Sequence, residues 1–118
     1  MTDPLLATAL VGVGGSLGAA LRHAVGLRVA GRRSVVAVNA LGSLALGGVL
    51  AAPVAPETAL LLGAGFCGAF TTFSSFAVET VATARDGELD AAIGFAAANL
   101  LAAVVAFLVG SALAGTLA

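Results

Sequence analysis

The 118-residue chain has no lysine, no tryptophan and no tyrosine, and it has one histidine and one cysteine. Charged residues are 9% of it, against about 25% in an ordinary soluble domain. These absences exclude whole classes of function. Without lysine, no glycine-rich phosphate loop can end in its usual cation. Cys67 has no partner for an internal disulfide and reads as a small packed hydrophobe. His23 and the scattered acids show no metal-ligand spacing. No nucleophile has a base nearby in sequence, so no enzyme constellation is expected. There is no basic patch with interleaved aromatics, and no nucleic-acid partner is expected either.

What is present is apolar: 60% hydrophobic residues and a mean hydropathy of +1.13. That composition predicts an all-α integral membrane protein built as a single domain, 1–118. Four runs are long enough to span a bilayer, which takes roughly 17–25 residues. They cover about 5–25, 35–52, 58–84 and 89–117. Gly31-Arg32-Arg33-Ser34, Pro53 with Pro56, and Arg85-Asp86-Gly87-Glu88 punctuate them. Connections this short make consecutive helices antiparallel. The first run is not expected to be a signal peptide, because Asp3 and no base leads it and the run is too long.

An even number of spans puts both termini on one side. All five arginines (Arg22, Arg28, Arg32, Arg33 and Arg85) fall toward the other. The positive-inside rule then predicts that the loops after spans 1 and 3 are cytoplasmic. Glu79, Asp86, Glu88 and Asp90 share that side, but acids weigh little in the rule. Gly14 and Gly18 form a GxxxG step, and Ser43 and Gly47 a second small-residue step. Such steps let helix backbones approach closely within lipid. Four thin helices leave little room for water, so a transport path is expected at an interface between subunits.

The third span is the most informative. Phe66, Phe70, Phe73 and Phe76 alternate there with Thr71, Thr72, Ser74 and Ser75, behind Gly63, Gly65 and Gly68. With about 100° of turn per residue, an ideal helix would set the four hydroxyls opposite Phe73 and Phe76. The hydroxyls could simply bond to carbonyls one turn back while the rings fill a core. Yet glycines and paired threonines both weaken a helix. A break near the middle of this helix is therefore expected. It would free carbonyl oxygens, hard ligands suited to a small cation. Asn39, in the second span, either bonds another helix or offers its two N–H donors to an anion, and Asn99 in the fourth span poses the same choice. Arg22 either snorkels to the interface or attracts anions at a pore mouth. Glu79 either is solvated at the rim or accepts bonds in a narrow entrance. Amide and hydroxyl donors with the positive edges of phenyl rings would suit a small hydrated anion while still releasing it.

The chain resembles the small fluoride channels of the Fluc/CrcB family along its whole length. The likeness is carried by Gly14-Gly15-Ser16-Leu17-Gly18-Ala19-Ala20-Leu21-Arg22, by Asn39-x-x-Gly42, and above all by Gly65-Phe66-Cys67-Gly68-x-x-Thr71-Thr72-Phe73-Ser74-x-Phe76 followed by Glu79. What the resemblance implies is a dual-topology dimer of antiparallel subunits in a prokaryotic plasma membrane, with two fluoride pores. It implies a phenylalanine box at Phe73 and Phe76, a pore asparagine at Asn39, pore hydroxyls at Thr72 and Ser74, and a vestibule arginine at Arg22. Glu79 and Asn99 become candidates for the pore rim and polar track. A structural Na⁺, not transported, would be held by main-chain carbonyls of Gly68 and Thr71. The implied role is passive, potential-driven export of fluoride that protects against its toxicity. The chain departs from the family at Ser75, where threonine is common, and at Ala103 and Phe107, where hydroxyls are often found. Its one-sided arginines also suggest a heterodimer with an oppositely inserted paralogue rather than a homodimer. Two other readings stand beside this one. A small multidrug exporter would need a carboxylate inside the membrane. A non-conducting assembly subunit would leave the rings and hydroxyls unexplained.

Overall fold

In the computed structural model, which describes residues 2–117, every regular element is helical. Asp3 caps the first helix, its carboxylate accepting the Leu6 N–H at 3.2 Å, and Pro4 occupies the first turn. This helix, α1, runs Pro4–Arg28, and α2 runs Arg32–Ala51. The third span is composite: α3 (Pro56–Thr58), a π-helix (Ala59–Cys67), α4 (Gly68–Phe70), and α5 (Ser74–Arg85). The fourth is α6, Leu89–Leu117. Four stretches, Pro4–Arg28, Arg32–Ala51, Pro56–Arg85 and Leu89–Leu117, are long and apolar enough to cross a membrane.

The helices reach further into the first loop than the apolar runs do. Arg28, Arg32 and Arg33 are all helical, so only residues 29–31 connect α1 to α2. Arginine is a good helix former, and its stem can lie along apolar surface while its head stays in water. Gly31 turns the chain here at φ 65°, and Gly87 does the same between α5 and α6 at φ 82°.

Packing follows the small residues. A Cβ on Gly14 would collide with the Leu61 carbonyl, and one on Gly18 with the Phe66 carbonyl. The GxxxG step thus seats α1 on the first half of the third span, within the chain. Those partners ascend together in sequence, so the two helices run parallel. Asn39 meets Asn99, and Gly47 meets Phe107, so α2 and α6 also run parallel. The Ser111 hydroxyl donates to the Gly47 carbonyl at 3.2 Å and ties that seam. The core is small: Val38, Cys67, Phe70, Ala92 and Phe95 are its most buried apolar residues besides Val35. Leu17, Leu100 and Val105 are among many large side chains left outside, a surface for lipid or a partner.

The third span breaks where its composition predicts, but not as an ideal helix with two faces. Thr71 is extended at ψ 164°, and residues 71–73 are not helical. The expected back-to-back arrangement of four hydroxyls and two rings therefore does not form, because the turn that would create it is missing. Upstream, the Gly68 N–H reaches the Gly63 carbonyl five residues back, the spacing of a π-helix. The glycines of this segment keep ordinary right-handed backbone, and Gly65 serves close approach instead, since a Cβ there would crowd the Val11 carbonyl of α1.

Candidate functional site at the break in the third span

Asn39 holds the break. Its Oδ1 accepts the Thr72 N–H at 2.7 Å, and its Nδ2 donates to the Thr72 carbonyl at 3.0 Å. One side-chain amide thus pairs with both polar groups of one residue. The second hydrogen on Nδ2 goes to Asn99 Oδ1 at 3.1 Å. Both donors of Asn39 are used within the chain, and the residue is 9% exposed. An unmet backbone group in lipid costs several kcal/mol, roughly, so this pairing is what makes an irregular segment tolerable at membrane depth. Gly42, one turn on, leaves the space that the Thr71 methyl fills.

The threonines and serines divide their work. The Thr71 hydroxyl donates back to the Cys67 carbonyl at 3.0 Å, as does Thr80 to Phe76 and Thr83 to Glu79 at 2.7 Å each. Thr72 does something else. Its hydroxyl accepts the Ser75 N–H at 3.1 Å, in the manner of a helix cap, and lies 3.4 Å from the Ser74 hydroxyl. Ser74 and Ser75 are themselves exposed.

Two carbonyls lose their helical donors to these side chains. In an unbroken helix the Thr72 N–H would serve Gly68, and the Ser75 N–H would serve Thr71. Here Asn39 takes the first and the Thr72 hydroxyl takes the second. The Thr71 carbonyl instead meets Arg22, whose Nη1 donates at 3.3 Å from a half-buried position on α1. Among the described residues no group of three His, Cys, Asp or Glu could hold a metal ion. Main-chain oxygens are hard ligands; at the break the Gly68 carbonyl has lost its helical donor and the Thr71 carbonyl has exchanged its own for Arg22.

Rings flank the break. Phe73 is 79% exposed, with its centroid 5.9 Å from that of the half-buried Phe76 at a tilt of 47°. Phe76 in turn packs on Phe95 of α6, with centroids 5.5 Å apart. Phe95 went unread in the sequence. It lies one turn before Asn99, and that i, i+4 spacing could have placed it on the same face. Phe66 and Phe70 form a separate stacked pair, 5.8 Å apart.

An open groove of about 700 Å³ gathers Asn39, Thr71, Thr72, Phe73, Phe76 and Asn99, and no ionisable side chain lines it. A second groove, about 380 Å³, shares Asn39, Thr71, Asn99 and Ala103 with it and adds Gly68. A third, about 400 Å³, lies on the arginine side, where Arg22, His23 and Ser34 face Thr72 and Ser75. Thr72 borders the first and third, so the break separates a charged recess from an uncharged one. Ser74 lines none of the three, and Glu79 is half-buried on α5, also outside all of them. Phe107 lines none of the three grooves, and its backbone carbonyl closes on Gly47.

Residues 9–111 match the family described as CrcB-like protein, Camphor Resistance (CrcB). The chain is 50% identical over 115 residues to a protein of Natronomonas pharaonis named fluoride-specific ion channel FluC 2, covering 96% of this chain and 98% of that one. A Haloarcula marismortui protein of the same name is 46% identical over 99 residues, covering 81% and 83%. The same organism has a protein named fluoride-specific ion channel FluC 1, which is 44% identical over 90 residues and covers 70% and 71%.

Proposed function

The chain belongs to the CrcB-like family, and from that premise we propose that it is a fluoride-specific channel that lowers cytoplasmic fluoride by passive export. It is not an enzyme. The observation that carries the reading is the uncharged groove at the break. Amide, hydroxyl and phenyl groups converge there around backbone that has left the helix. Such a surface offers an anion partial positive charge without a fixed cation that would hold it, and conduction needs release as much as entry. Arg22 supplies the fixed charge one step away, in the recess where an attracted anion would arrive. The inside-negative potential drives an anion outward by about 2.3 kcal/mol per 100 mV, so no fuel is required.

In this reading Phe73 and Phe76 present ring edges to the ion, and Asn39, Thr72 and Ser74 exchange hydrogen bonds with it in passing. Asn99 supports Asn39, and Glu79 belongs to the rim. A structural Na⁺ would be held by the carbonyls of Gly68 and Thr71, where it neutralises oxygen dipoles at the centre of a dimer. The assembly is an antiparallel dimer in a prokaryotic plasma membrane, with the arginine-bearing loops in the cytoplasm. FluC 1 and FluC 2 proteins in one relative's organism support a heterodimer of oppositely inserted paralogues. An exporter exchanging protons for drugs finds no support in the grooves, because Glu79 lines none of the three.

The test is efflux from liposomes holding the purified chain, alone and with a companion paralogue, read by a fluoride electrode with chloride as control. Fluoride release without chloride release is expected. Vesicles that remain fluoride-tight in both arms would refute the reading.

A further inference from the structure

We infer that Asn39 and Thr72 are positioning residues for the structural cation, because their side chains take the N–H donors that would otherwise bond to the Gly68 and Thr71 carbonyls. The inference rests on the proposed Na⁺ site and deepens it. A continuous helix has no free carbonyls in mid-span, since each accepts from the residue four places on. Breaking the helix is not enough to present them either. The N–H groups that serve these carbonyls in a helix would re-form those bonds unless another acceptor held them. Asn39 Oδ1 holds the Thr72 N–H at 2.7 Å, and the Thr72 hydroxyl holds the Ser75 N–H at 3.1 Å. Asn39 also grips the Thr72 carbonyl at 3.0 Å and so fixes the peptide against rotation. The pore and the cation site are therefore not separate devices. The amide that borders the fluoride groove also takes the N–H that would otherwise bond to the Gly68 carbonyl.

Arg22 acts in the opposite direction. Its guanidinium donates to the Thr71 carbonyl at 3.3 Å. It places a positive charge on the oxygen the cation would use, and like charges at that range repel. Arginine and sodium share one acceptor.

The experiment is thermal unfolding of the purified full-length protein, in the dimer that conducts, titrated with Na⁺ against N-methylglucamine. The wild type is expected to melt higher as Na⁺ rises, with a definite midpoint. Thr72→Val, which removes the cap, and Asn39→Leu, which removes the clamp, should each raise that midpoint about tenfold or more. Thr72→Ser restores the hydroxyl and should restore the midpoint, so the serine–valine pair decides the matter even where Asn39→Leu does not fold. Phe73→Ile alters the groove but none of these hydrogen bonds, and should keep the wild-type midpoint. Arg22→Gln should lower it. An unchanged midpoint in Thr72→Val, or a raised one in Arg22→Gln, would overturn the inference while leaving the cation itself in place. A wild type indifferent to Na⁺ would remove the cation site and the inference with it.

Discussion

At the scale of single residues, exposure separates a ring that folds the protein from one that serves an ion. Phe73 is 79% exposed, so Phe73→Ile sacrifices little packing. It does remove the positive ring edge, so fluoride efflux should fall by up to roughly tenfold, equivalent to about 1.4 kcal/mol, while insertion and melting stay near wild type. Asn39→Asp should act more strongly. A carboxylate keeps an acceptor for Thr72 N–H but turns bare oxygen toward the Thr72 carbonyl and Asn99 Oδ1, and adds negative charge beside an anion path. That charge repels the anion directly, so efflux should drop by more than about tenfold, measured at equal protein density. Phe95 is the contrasting case: 7% exposed and packed against Phe76 at a tilt. Phe95→Leu should lower both melting temperature and efflux, because it loosens the support of Phe76 without touching the groove. The residue types at the site were legible in the sequence, since hydroxyls, amides and rings inside a span demand partners. Their pairings were not. That Asn39 would pair with both polar groups of Thr72 depends on α2 and the break lying side by side, and no local pattern states this.

At the scale of elements, hydropathy located four spans to within a few residues, because the solvent change from lipid to water dominates every other signal here. The ends differed where arginine continued a helix into the interface, as at Arg28 and Arg32. The break was legible from Gly63, Gly65, Gly68 and two threonines. The π-helical turns before it were not, since glycine permits a wide turn without requiring one. The seams between helices are set by glycines that meet carbonyls. Gly18 faces the Phe66 carbonyl, and Gly110 faces the Leu44 carbonyl. A backbone oxygen cannot rotate aside as a side chain can. Gly18→Val or Gly110→Val should therefore cost more than the ~1–3 kcal/mol of ordinary overpacking. The expected result is loss of monodisperse protein on gel filtration in detergent, with Gly26→Ala, open on all sides, as the harmless control.

At the scale of the whole molecule, the arginines raise a question of orientation that the fold alone does not pose. Arg28, Arg32, Arg33 and Arg85 all lie at the end of the bundle where α1 meets α2 and α5 meets α6. A subunit required in both orientations would be expected to carry its positive charge evenly, because bias toward one end selects one insertion. An antiparallel dimer built from a one-way subunit needs a second chain with the opposite bias. Terminal tags assayed for accessibility in cells should therefore report one orientation for this chain, with the arginine-bearing loops inside. Replacing Arg28, Arg32, Arg33 and Arg85 by glutamine should create a mixed population, since the bias is counted over short loops near the span ends. The variant should then gain fluoride efflux when expressed alone, because both orientations come from one chain. A wild type already divided equally between the two orientations would make the companion unnecessary and the dimer one of identical chains.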